Sequence, residues 1–136
     1  GNIAQLFILV EDLNPDAPKM GVTKEFLQDE LLIELRARLP RLKIASDFTM
    51  DYIYLRAHIR EHTLHDGRVT GHSSIMSLQL RREVLVLASG KIAIGMLWEA
   101  SIVFAGPLGT MKEQVRKNVR DLVTRFAADY YKAGNP

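Results

Sequence analysis

Four histidines, a serine pair and several adjacent carboxylates are the residues whose types could do chemistry, and their spacing argues against each. His58 and His62 share one face of an alternating segment. Four residues at about 3.3 Å each would hold them roughly 13 Å apart, whereas zinc ligands converge to about 2.1 Å from one ion. His72 falls on the opposite face in the register derived below, and with His65 the four read as surface histidines near a hairpin end. Ser73 and Ser74 adjoin His72, but no glycine-framed elbow exposes either hydroxyl and no carboxylate is placed to orient the base. Glu11-Asp12 closes a strand, and Asp29-Glu30 belongs to a solvated helix face. Gly106-Pro107-Leu108-Gly109-Thr110 precedes a helix and could present amides to an anion. It lacks the lysine and the glycine pattern of a phosphate loop, and it reads as a loop with a capped helix start. The chain has no cysteine, which excludes disulfides, thiolate metal sites and cysteine nucleophiles. We therefore expect no catalytic residue, no metal, no cofactor and no enzymatic activity.

What remains is a surface. Tyr52, Tyr54, Arg56, His58, Arg60 and His62 alternate with Ile53, Leu55, Ala57 and Ile59, the period-two signature of a half-buried strand. The first set would face outward beside Gln79 and Arg81 of the next strand, with Tyr52 opposite Arg81 for a cation–π contact. Leu85 and Leu87 point to the same side near a hairpin tip, which is a partner or dimer site if it is uncovered. Tyr52, Tyr54, Arg56, His58, Arg60, Arg81, Leu85 and Leu87 are the expected interaction residues. Aromatic and basic groups on an open sheet also suit RNA or another polyanion, but Glu99 opposite Gln79 weakens the basic field. A protein partner or a homodimer ranks first, nucleic acid second, and a small-ligand site between helix and sheet third.

The elements that position this face can be read from the turns. Asp66-Gly67 predicts a two-residue type I′ hairpin, which sets Leu55 opposite Leu78, Ile53 opposite Leu80, Ala57 opposite Met76 and Asp51 opposite Arg82. Ala88-Ser89-Gly90 predicts a three-residue loop with Gly90 in the left-handed region. That loop pairs Leu80 with Trp98, Leu78 with Ala100, Met76 with Ile102, Val84 with Ile94 and Val86 with Ile92. It leaves Ala93, Gly95, Leu97, Glu99 and Ser101 on the outer face. Two independent turns thus bring apolar faces into coincidence, and a one-residue slip would undo the match.

Before this meander, Leu6-Phe7-Ile8-Leu9-Val10 reads as a strand and Asn14-Pro15-Asp16-Ala17-Pro18 as a loop. Thr23 caps a helix carrying Leu27, Leu31, Leu35 and Leu39, with Val22 stapled on Leu27 and Pro40 as the stop. A short strand follows at Lys43-Ile44-Ala45. After the meander, Thr110-Met111-Lys112-Glu113 reads as a capping box. Met111, Val115, Val119, Leu122, Phe126 and Tyr130 form the buried stripe of a last helix that stops near Gly134. The order β-α-(β)-β-β-β-α predicts one α+β domain over residues 1–136, a two-layer sandwich with a mostly antiparallel sheet and both helices on one face.

That order, with Trp98 in mid-strand and a last helix ending Phe126-Ala127-Ala128-Asp129-Tyr130, resembles small bacterial cell-envelope modules. Among them are the N-terminal domain of TolB and the lipoproteins that assist curli secretion or activate peptidoglycan synthases. The resemblance implies a non-enzymatic, periplasmic docking role and transfers no site residue. Charged residues make up 25% and hydrophobic ones 47%, with a formal net charge of +2, ordinary for a globular chain and no nucleic-acid signature. No apolar run approaches the ~20 residues of a membrane span. The chain begins Gly1-Asn2 without Met, so the expectation is that an N-terminal segment has been removed, with a secretory signal as one candidate. A lipoprotein cysteine would have been lost with it.

Overall fold

The computed structural model describes residues 3–136; Gly1 and Asn2, on which the expectation of a removed segment turns, lie outside them. Along the chain come β1 (Gln5–Val10), α1 (Asp16–Lys19), α2 (Lys24–Arg38), β2 (Lys43–Ile44), β3 (Asp51–Thr63), β4 (Val69–Val86), β5 (Lys91–Gly106) and α3 (Met111–Lys132). The strands form one five-stranded sheet in the order β2-β1-β3-β4-β5. β1 runs parallel to both its neighbours, while β3, β4 and β5 form the expected antiparallel meander. α2 and α3 share one core with one face of the sheet, which makes the chain a two-layer α+β sandwich.

Apolar period and caps explain the helices. Leu27, Leu31, Leu35 and Leu39 are all buried, as are Met111, Val115, Val119, Leu122, Phe126 and Tyr130. Phe26 N–H donates to Thr23 Oγ1 at 3.1 Å, the predicted cap. The capping box at α3 does not form. Thr110 is in helical conformation with its hydroxyl directed to the Pro107 carbonyl at 2.9 Å, and Glu113 turns its carboxylate to Arg116. The loop after β1 also differs from expectation, because Asp16–Lys19 closes one helical turn there.

The predicted meander register holds at Asp51↔Arg82, Ile53↔Leu80, Leu55↔Leu78 and Ala57↔Met76, and on the far side at Met76↔Ile102, Leu78↔Ala100 and Leu80↔Trp98. Asp51 and Arg82 make the expected pair, with Arg82 Nε 2.5 Å from Asp51 Oδ1 and Nη2 3.1 Å from Oδ2. Both turns are corrected. Leu64 and Arg68 close a three-residue loop in which only Gly67 takes positive φ (+85°), so the turn is not type I′. The register shifts between His62 and Thr63, leaving Thr70 without an opposite residue. The shorter predicted turn thus led to the same pairing from Asp51 to His62.

The second correction has larger consequences. The pairing shifts by one between Leu80 and Arg81, and Leu97 is bulged out of β5. Beyond it Glu83 pairs with Ile94, Val84 with Ala93 and Leu85 with Ile92, and the connecting loop is Leu87-Ala88-Ser89-Gly90, with Gly90 at φ +67°. A bulge moves the side chains that follow it to the other face. Ile94 therefore leaves the helix-facing side where it was expected, and Ala93 and Gly95 take that side.

β1 pairs with β3 only as far as Val10↔Leu55, yet β3 continues to Thr63. Side chains serve the remaining edge. Asn14 Oδ1 accepts the Ile59 N–H at 3.0 Å while Asn14 Nδ2 donates to the Ile59 carbonyl, and Asp16 Oδ2 accepts the Glu61 N–H at 3.1 Å. That amide bond is the main reason the Asp16 carboxyl is held below the usual carboxylate range. Asn14→Ala strips both partners from a part-buried peptide group. It is expected to lower unfolding stability by about 1–3 kcal/mol, read as a lower urea midpoint at unchanged slope; an unchanged midpoint would show that water replaces Asn14 freely.

Candidate functional site

The outer face of the sheet carries the expected interaction residues, though not all are available. Tyr52 is only 3% exposed. Phe48, from the segment between β2 and β3, lies over it at 5.2 Å between ring centroids and contacts Phe7 at 5.7 Å. This stack closes that end of the face, and Tyr52 is structural. The expected cation–π contact forms with a different ring: the Arg81 guanidinium sits 3.8 Å from the centroid of Tyr54, diagonal to it.

Arg81 belongs to a chain of polar contacts that crosses three strands. Its Nε donates to Gln79 Oε1 at 2.6 Å, and Gln79 Nε2 donates to Glu99 Oε1 at 3.1 Å. Arg56 Nε donates to Glu11 Oε2 at 3.1 Å. Burial, with the Glu11 carboxylate adding to it, holds the Tyr54 hydroxyl above its ordinary pKa. Beside this belt an open trough of about 550 Å³ is lined by Glu11, Asp12, Arg56, His58, Ile75 and Glu99 among others. Two of the basic groups expected to meet a polyanion are already engaged, and three carboxylates stand around the trough. His58 and Arg60 are exposed beside it.

Past Asp51↔Arg82, β4 and β5 continue without β3 as a two-stranded arm. Its outer face gathers Leu85, Leu87, Ile92, Ile94 and Met96, and every one is exposed, from 55% at Met96 to 88% at Leu87. Val84, Val86 and Leu97 are exposed as well. Leu85 and Leu87 were anticipated from the sequence, whereas Ile92, Ile94 and Met96 were missed. Apolar residues occupy every even position from Ile92 to Phe104, so the period does not announce a bulge. The available signals were Gly95 and the consecutive Met96-Leu97-Trp98, which lets either phase continue.

The histidines do not converge. His62 Nε2 lies 2.9 Å from Ser73 Oγ at the surface. His72 is not the surface residue expected but is 1% exposed, under a cleft of about 430 Å³ bordered by Lys19, Glu61, Val69 and Met111. His72 Nε2 lies 3.4 Å from Thr110 Oγ1, whose hydroxyl donates to the Pro107 carbonyl. Among the described residues, no group of three or more His, Cys, Asp or Glu is arranged to hold a metal ion. Among them also, no helix is long and apolar enough to cross a membrane.

No family model and no curated protein matches the chain. Solved structures do share its fold. A PelC dodecamer from Paraburkholderia phytofirmans superposes with a TM-score of 0.54 at 14% identity, over 88% of this chain and 86% of that one. A point variant of the same dodecamer gives 0.55 at 13% identity, over 88% and 83%. An uncharacterized protein gives 0.52 at 10% identity, over 92% and 90%. A minor lipoprotein from Acinetobacter baumannii, 16% identical over 96% and 92%, falls to 0.41. At these identities the likeness is one of fold.

Burial pushes the His72 pKa below its ordinary value. The unfolded chain therefore binds a proton there more readily than the folded one. His72 costs no stability well above the unfolded pKa of about 6.5, and stability falls as pH drops below it toward the lowered folded value. Replacing His72 by Leu should flatten unfolding stability between pH 7.5 and 5 relative to wild type. Parallel pH profiles for the two proteins would place the acid sensitivity elsewhere.

Proposed function

We propose that this chain is a non-catalytic protein-interaction module of the bacterial cell envelope. It docks a partner through the β4–β5 arm and the adjoining outer face of the sheet around Tyr54, Arg56, His58, Arg60 and Arg81. The observation that carries this reading is the arm. Large apolar side chains crowd a ribbon that no helix covers, while the polar groups beside it are paired with one another instead of converging on a substrate. A contiguous apolar patch rimmed by polar residues is what interaction sites look like. The fold likeness to PelC, described as a dodecamer, supports a role in which chains of this shape assemble. The envelope assignment rests on the resemblance of the element order to small envelope modules. The engaged Arg56 and Arg81 favour a protein partner over a polyanion.

A photo-crosslinking amino acid in place of Leu85, in the native host, should yield a discrete protein adduct in the envelope fraction. The same group in place of Lys117, on the polar side of α3, should yield none. Absence of any adduct at Leu85, or adducts with nucleic acid alone, would overturn the docking role.

A further inference from the structure

The arm leaves the sheet at the Asp51–Arg82 pair, where β3 starts. A two-stranded ribbon is marginal in water by itself, and this one carries little charge: Glu83 pairs with Ile94 at its root, and from Val84 to Trp98 the single ionisable side chain is Lys91. The bulge at Leu97 turns Ile92, Ile94 and Met96 to the side already occupied by Leu85 and Leu87. At the exposures these five retain, each copy offers on the order of 600 Å² of apolar surface. That is the upper end of what a monomer leaves uncovered and most of the roughly 800 Å² that one partner gives to a standard interface.

We infer that the occupant of this surface is a second copy of the chain, the two arms packing outer face to outer face about a two-fold axis near Ile94. The inference rests on the docking role proposed above and names its partner. An uncharged apolar patch is its own complement, since every residue i that meets j is matched by j meeting i, and no opposite charge has to be supplied. A partner that recognises through charge would find only Arg81 and Glu83 at the root of this face, Lys91 lying in the opposite phase beside Val86. The area of two such patches, with Arg81 and Glu83 beside them at the root of the arm, reaches the size of a stable dimer interface. The paired arms also gain a second layer, which removes the weakness of an isolated ribbon.

Sedimentation equilibrium of the wild-type chain at high micromolar concentration should show a dimer or a multiple of it. Ile94→Asp, and separately Leu85→Asp, should weaken association about tenfold or more while leaving the circular dichroism spectrum of the fold unchanged. The chain has no cysteine, so geometry can be tested with single substitutions and a short bis-maleimide, a reagent suited to facing sheets about 10 Å apart. Ile94→Cys should cross-link to covalent dimer, whereas Val103→Cys, on the same strand but far from the axis, should not. A monomeric wild type, association unchanged in both charged variants, or equal cross-linking at the two cysteines would each overturn the self-pairing. A monomer that still forms a protein adduct from Leu85 in cells would sink this inference and leave the docking role standing.

Discussion

β4 runs for 18 residues beside the 13 of β3, and past the shift at Thr63 the two keep one register from His62↔Gly71 to Asp51↔Arg82. The sheet therefore runs out of partners at one end, at the ion pair of Asp51 with Arg82. Up to that pair, the even-numbered side chains of β4 from His72 to Leu80 are buried. Past it, apart from the Glu83 N–H donated to the Met50 carbonyl at 2.9 Å, β4 and β5 pair only with each other. The register of the meander thus decides both where the core stops and where the exposed surface begins. A slip of one residue would exchange the two faces along the whole strand.

Much of this was legible in the sequence because two periodicities agreed. Alternation from Asp51 to Ile59, set against alternation in the next two strands, left one pairing that buried Leu55, Leu78 and Ala100 side by side. Four-residue spacing of leucines in α2 and the stripe of α3 then supplied the second layer. What could not be read was local. The type of the Gly67 turn was wrong by one residue, yet the extra residue at Thr70 cancelled the error. At Leu97 nothing cancelled it, so Ile94 was assigned to the core when it faces solvent. Even-numbered apolar positions continue through the bulge, and a period cannot reveal where its own phase is reset. Tyr52 shows a different limit: its face was read correctly, but Phe48 covers it from an irregular segment that has no period at all. The capping box at Thr110 failed because the hydroxyl found the Pro107 carbonyl, a competition between near neighbours that a motif does not weigh.

The outer face also explains why the chain looks poor in chemistry. Its charged groups neutralise one another across strands, Glu11 with Arg56 and Glu99 with Arg81 through Gln79, with Tyr54 beneath the guanidinium. Such pairs on a half-exposed face add modestly to stability. They satisfy the charges of the face within the sheet, and in the proposed role recognition falls to the apolar arm. In that proposal the sandwich is the base and the arm is the contact area held away from it.

Hydrogen exchange of the arm amides, followed as a function of protein concentration, tests this division most directly. If the arm is an interface that the fold holds apart from its core, amides from Val84 to Ile94 exchange rapidly in dilute solution and become protected as the protein is concentrated. The β3 and β4 amides within Ile53–Ile59 and Ser74–Leu80 stay protected throughout. Protection of the arm equal to that of the core at every concentration would contradict the account, because the ribbon would then be a stable part of the monomer with nothing left to cover.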